Sequence, residues 1–103
     1  LRPIAFALAL CAATAGLLAP AAAAATFDEA LAVKRSGDHT RAITLFEELV
    51  AAEPRNAQYL FHLGTVQGWA GRTDEALATF ERALQIAPQD ADVRLGYGRV
   101  LAW

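Results

Sequence analysis

The sequence predicts an all-α fold: an α-solenoid of helix-turn-helix pairs behind an N-terminal leader. Three observations carry this. The chain resembles itself at an offset of 34 residues, its apolar side chains recur at spacings of three and four, and glycine and proline fall at matching points of each repeat. At that offset Gly37 lies over Gly71, Ala42 over Ala76, Phe46 over Phe80 and Pro54 over Pro88, so that "RAITLFEELVAAEP" matches "EALATFERALQIAP". The register continues, with Gly64 over Gly98, Val66 over Val100 and Trp69 over Trp103. Self-similarity of this period marks architectures whose units bury their apolar faces only against one another.

The first element, residues 1–25, reads as a secretory signal peptide. No charge occurs between Arg2 and Asp28, an apolar stretch runs from Ile4 to Leu18, Pro20 follows, and Ala23 and Ala25 supply the small residues of a cleavage site. Cleavage is expected after Ala25. An uncleaved anchor is the rival reading, because the uncharged run is long enough to span a bilayer. Its latter part is alanine, which partitions weakly. Cys11 sits in "LALC", but a lipidation motif needs a small residue before the cysteine and Leu10 stands there. Without the leader the chain has no cysteine, hence no disulfide and no thiolate metal site. It carries 8 basic and 11 acidic groups, a mild excess with signs interspersed, and no basic face for nucleic acid. Export without disulfides suits a bacterial periplasm or cell envelope.

Helices are expected near 27–36, 40–52, 57–70, 74–87 and 91–103. Gly37 and Gly71 separate paired helices at tight turns, where a left-handed backbone is cheap for glycine. Thr40 is the expected cap of the second helix and Pro54 its stop; Thr73 or Asp74 caps the fourth, Glu75 suits its positive end, and Pro88 stops it. Ala76, Leu77, Phe80, Ala83, Leu84 and Ile86 supply that helix's apolar face. The last segment, "VRLGYGRVLAW", holds two glycines. Gly98 is the counterpart of Gly64 and is expected where two helices pass closely. Gly96, the counterpart of His62, is expected only to weaken its helix, by about 1 kcal/mol relative to alanine.

These residues resemble the tetratricopeptide repeat. Counted from Ala57, Leu60, Leu63, Gly64, Ala76, Phe80, Ala83 and Pro88 fall where that motif has large, large, small, small, aromatic, small and proline. The repeat before it matches through Ala42, Phe46, Leu49 and Pro54, while Thr26 and Glu29 stand at normally apolar positions of its first helix. The resemblance implies a degenerate repeat over 26–56, a full one over 57–90, and the first helix of a third over 91–103, about two and a half repeats. Val93, Tyr97, Val100 and Leu101 are expected to lack a covering helix, so the chain reads as the N-terminal part of a longer array. A small three-unit protein is the alternative.

Catalytic constellations are missing from the sequence. "GYGRVL" fails the dinucleotide pattern G-x-G-x-x-G, because Leu101 replaces the third small residue and no strand precedes it. His39 is expected to be solvated in a turn, and His62, with Val66 four residues on, has no metal-ligand partner at helical spacing. Glu47–Glu48 and Asp74–Glu75 are adjacent on helices and point in different directions. The expectation is a non-enzyme without cofactor or metal. The resemblance implies instead a concave groove lined by first helices. It would comprise Phe27, Leu31, Lys34 and Arg35, then Gln58, Phe61, Thr65 and Trp69, then Asp92, Leu95, Arg99 and Trp103. Lys34, Arg35, Gln58, Phe61, Thr65, Trp69, Arg99 and Trp103 are the candidate partner-binding residues, with Phe61 and Trp69 having packing between repeats as the alternative. Aromatic rings beside arginine suit an extended peptide or a saccharide chain. The family's clamp for a chain-terminal carboxylate is absent: Phe27, Leu31, His62, Asp92 and Gly96 stand at its positions.

The function so implied is a non-catalytic protein-protein interaction scaffold of the bacterial periplasm or cell envelope, with a protein or peptide segment as partner and a saccharide chain as the alternative. Nucleic acid is not expected, and a membrane enters only through the leader or a region beyond Trp103. The other reading is the periplasmic repeat part of an outer-membrane β-barrel protein that exports material such as exopolysaccharide. A downstream enzyme carrying the array as an adaptor is a third.

Overall fold

The computed structural model describes residues 25–103 as five helices: α1 (Phe27–Ser36), α2 (His39–Ala52), α3 (Ala57–Trp69), α4 (Thr73–Ile86) and α5 (Ala91–Leu101). All five expected helices are present, with ends within two residues of those expected. The leader, its cleavage site up to Ala24, the anchor alternative and Cys11 lie outside the described residues. Among the described residues no helix is long and apolar enough to cross a membrane.

The helix starts obey capping chemistry more closely than the sequence reading did. Thr26 and Glu29, which break the repeat pattern, form a capping box: the Thr26 hydroxyl accepts from Glu29 N, and Glu29 Oε1 accepts from Thr26 N, both at 3.2 Å. That box fixes the start of α1. Asp38, not Thr40, caps α2 by accepting from Arg41 N at 3.1 Å; Thr40 already lies in the first turn. Asn56 caps α3 through Tyr59 N, and Asp90 caps α5 through Asp92 N and Val93 N. Neither Thr73 nor Asp74 caps α4. Arg72 holds the cap position without a side-chain bond, and Asp74 and Glu75 sit in the first turn, where carboxylates offset the helix dipole.

The helix ends follow from two residue types. α2 and α4 stop at Ala52 and Ile86, two residues before Pro54 and Pro88, because a residue preceding proline avoids the helical region. Gly37 and Gly71 take φ of 88° and 82° and turn the chain between paired helices.

Each helix packs on the next, and α3 also packs on α5, so the first helices of successive pairs come together. The buried core is a single cluster centred on Phe46 and Phe80, which occupy the same repeat position and are 0% and 1% exposed. A polar pair is buried with it: Thr79 Oγ1 donates to Gln67 Oε1 at 2.7 Å across α3 and α4. This satisfies a carbonyl whose orphaning would cost about 1–3 kcal/mol.

Phe80 is held between two glycines. A Cβ on Gly64 would stand 2.8 Å from its Cε2, and a Cβ on Gly96 would stand 2.6 Å from its Cε1. Around Gly98 nothing lies within 4 Å of the same imagined atom. The expected roles of the two α5 glycines are therefore exchanged. Gly98 shares a register with Gly64, but the atoms that press on Gly64 belong to the second helix of its own repeat. The residue that meets the preceding repeat's phenylalanine lies two positions earlier, at Gly96.

Val93 and Val100 are also covered, at 1% and 3% exposure, against the expectation that they would lack a partner. Seven residues apart, they lie on the stripe of α5 turned toward the preceding pair. Tyr97 is half-buried and its hydroxyl donates to Glu81 Oε2 at 3.2 Å. Leu101, at 58% exposure, is the one of the four that lies open.

These contacts set opposite signs for two alanine substitutions on one helix. Gly96→Ala must displace a wedged ring and is expected to destabilise by about 1–2 kcal/mol, overpacking outweighing the gain in helix propensity. Gly98→Ala meets open space and is expected to stabilise by up to about 1 kcal/mol. Urea midpoints of the two variants check this; equal shifts would show that Phe80 is not wedged.

Candidate functional site

The two junctions between repeats differ at one position. At the first, His62 of α3 lies over Phe46, the rings stacked at 12° with centroids 5.4 Å apart. At the second, the residue one period later is Gly96, which brings the α5 backbone against Phe80. The Phe80 ring, with the edge of Phe61 beside it, takes the room that a side chain at this position would need. There, between the first helices, a cleft of about 360 Å³ opens. It is lined by Lys34 from α1, by Phe61, Thr65 and Trp69 from α3, by Phe80 from α4, and by Asp92, Leu95, Gly96, Arg99, Val100 and Trp103 from α5 and its end.

Six of the eight candidate residues meet in this cleft: Lys34, Phe61, Thr65, Trp69, Arg99 and Trp103. Arg35 and Gln58 do not. Both are exposed and line other parts of the surface: Arg35 is one helical step around from Lys34, and Gln58 sits at the start of α3, beyond the cleft's reach. Asp92 and Leu95 are lining residues, as their register implies. Phe27 and Leu31 instead pack against the core; the Phe27 ring lies 5.4 Å from both Tyr59 and His62. Phe61 both packs and lines, edge-on to Phe80 at 6.3 Å. Trp69 is half exposed.

Sequence reasoning missed Phe80, Gly96 and Val100 as lining residues. The signal was present in the change from His62 to Gly96 at one repeat position, which removes a ring from one junction and leaves it in the other.

Lys34 joins the junctions. Its Nζ lies 2.8 Å from His62 Nδ1 and, on its other sides, 5.3 Å from the Trp69 ring centroid and 5.7 Å from that of Phe61. An ammonium only donates, so Nδ1 is the acceptor and the neutral ring carries its proton on Nε2. Two effects keep that ring neutral. Burial among Phe27, Phe46 and Phe61 is the larger and the Lys34 charge the smaller, and together they lower the His62 pKa to about 4. Burial also lowers the Lys34 pKa. His39, expected in solvent, opens α2 and lies against the Trp69 indole at 5.5 Å, which steadies the outer wall of the cleft. Among the described residues no three His, Cys, Asp or Glu side chains group as metal ligands.

The His62 shift has a definite linkage sign. Its folded pKa lies below the unfolded value of 6.5, so the unfolded chain takes up a proton first as pH falls. The neutral stacked ring therefore contributes fully above about pH 6.5, its contribution declines between 6.5 and 4, and the loss levels off below 4. His62→Phe keeps an aromatic ring on Phe46 without a titrating group. The difference in stability between wild type and His62→Phe, measured by urea denaturation from pH 7.5 to 3.5, is expected to vary across that window. A difference independent of pH would mean that His62 titrates alike folded and unfolded.

Comparison with known proteins bears on the helix pairs directly. The family model described as Tetratricopeptide repeat matches residues 27–91 and again residues 69–102, which together cover well over half of the chain. No curated protein matches it. Paired helices turning at Gly37 and Gly71, stopped before Pro54 and Pro88, and locked through Phe46 and Phe80 are the physical content of that match, and the chain belongs to the tetratricopeptide repeat family.

Proposed function

We propose that this chain is a non-catalytic interaction scaffold of the bacterial cell envelope, whose cleft between α1, α3 and α5 holds an extended segment of a protein partner. Tetratricopeptide repeats generally mediate protein-protein interaction. One observation carries the assignment to the cleft. Among the described residues the exposed large apolar side chains are Trp69, Leu95, Leu101 and Trp103, and three of these four line it. Apolar surface gathered in one place, rather than scattered, marks an interaction site, and tryptophan and arginine are the residues that most often dominate binding energy. The volume lies at the lower end of the range for binding pockets, room for a few side chains.

The envelope location rests on the sequence of the first 25 residues, the uncharged run that ends in small residues. The same exposed indoles, Trp69 and Trp103, would also stack on sugar rings. That feature supports the second reading, in which the repeats are the periplasmic part of an outer-membrane barrel that exports a saccharide.

A photo-activatable phenylalanine at Leu95, on the cleft, and another at Gln85, exposed on α4, separate these readings in intact cells. The expected result is a protein adduct from Leu95 and none from Gln85, weakened at least tenfold by Trp69→Ala. Equal adducts from both positions would sink the cleft as the site. A glycan adduct from Leu95 favours the export reading, and recovery of the protein in the cytoplasmic fraction rules out the envelope.

A further inference from the structure

The cleft has a chemical pattern as well as a shape. Along α5 its wall reads Leu95, Arg99, Trp103, and along α3 it reads Phe61, Thr65, Trp69. Both rows have a spacing of four, and each pairs with the other at the repeat offset of 34. Each row is therefore apolar at both ends and polar in the middle. Lys34 lies between Phe61 and Trp69, within 5.7 and 5.3 Å of their centroids, and so adds its charge to the same middle.

Neither cation is neutralised. Among the described residues the ion pair found is Arg72–Glu75, away from the cleft; Lys34 and Arg99 form none. Lys34's bonded partner is a neutral imidazole, and burial alone destabilises its charge. The acidic group facing the cleft is Asp92, seven residues before Arg99, which places it about 10 Å along the helix axis at the Leu95 end. The cleft thus has a positive middle and a negative end.

The spacing of the rows also selects the conformation of a ligand. Four residues of helix advance about 6 Å. Two residues of extended chain advance about 6.7 Å and return to the same face. A strand-like segment laid along α5 therefore places side chains p, p+2 and p+4 against Leu95, Arg99 and Trp103 in turn.

We infer that the partner segment is an extended peptide carrying an aspartate or glutamate flanked, two residues away on each side, by apolar or aromatic residues, with the carboxylate held between Lys34 and Arg99. This rests on the reading of the cleft as a peptide site. The carboxylate belongs to a side chain within the segment rather than to a chain end, because apolar walls continue on both sides of the cations. An acid at the outer position is disfavoured by Asp92. Binding brings the carboxylate to a half-buried ammonium that now lacks a counter-charge, which gives charge-assisted hydrogen bonds stronger than neutral ones.

The test is selection of a random dodecapeptide library on the 103-residue chain, then titration of the best peptide, acetylated and amidated, with Trp fluorescence as readout. The expected consensus has one acidic residue with apolar residues at two positions before and after it. Replacing that acid by its amide is expected to weaken binding about tenfold, as are Arg99→Gln and Lys34→Met, whereas Arg94→Gln, exposed on α5 outside the cleft, leaves it unchanged. Circular dichroism verifies that each variant is folded. Selected peptides that need Trp69 but carry no acid overturn the inference and leave the cleft as a peptide site. Peptides indifferent to both Trp69→Ala and Arg99→Gln, or no selected peptide at all, overturn both. Binding of a uronic-acid oligosaccharide with no peptide selected also overturns both, in favour of the saccharide reading.

Discussion

Everything in this array hangs on how a phenylalanine in the second helix of a repeat meets the first helix of the next. Paired helices share a short turn and pack as a consequence of chain connectivity. Successive pairs have no such help, and the rings of Phe46 and Phe80 supply the contact instead. Each ring is buried almost completely, so its apolar area contributes about 2–3 kcal/mol at a place where the chain makes no local link. The group opposite the ring then decides the character of the junction. An imidazole stacks and spaces the helices; a glycine lets backbone approach the ring itself.

That one difference explains why the cleft lies where it does. His62 fills the first junction with a ring, and its neutrality is enforced by the same burial that holds it. Gly96 adds no side chain to the second, so the Phe80 ring meets its backbone directly, and beyond that contact Phe61, Trp69, Leu95 and Trp103 line a cleft. Lys34 ties the two together, bonded to the ring of one junction and set over the aromatic wall of the other. The first junction is thereby a structural support for the second.

The helices were legible because their signals are local. Turn glycines, stop prolines and apolar spacing act within a few residues, and they placed every helix to within two residues. Caps were less legible, since Asp38 and Thr40 are both good caps and the choice depends on where the turn from Gly37 releases the chain. The glycines of α5 were misassigned for a different reason. Aligning repeats compares equivalent positions within a repeat, whereas Gly96 acts across a boundary, on a residue of the repeat before. Val93 and Val100 were misjudged in the same way: the helix pair before α5 covers them, and no later helix is needed. Of the site, the register placed six of eight residues in one cleft. Arg35 fell outside because one helical step from Lys34 turns a side chain by about 100°, and Gln58 because it stands at the start of α3, before the cleft begins.

The two junctions also differ in mechanical character. The first is interlocked: a stacked ring and a hydrogen bond at 2.8 Å resist both sliding and twisting. The second joins backbone to ring edge at Gly96 and is flanked by side chains: the Tyr97 hydroxyl donates to Glu81 on one side, and the Trp103 ring lies close over Gly68 on the other. The cleft is bounded by α3 on one side and α5 on the other, so its width follows from how these two helices pack. A ligand seated there touches both helices at once and so adds to the contacts that hold α5 on the preceding pair.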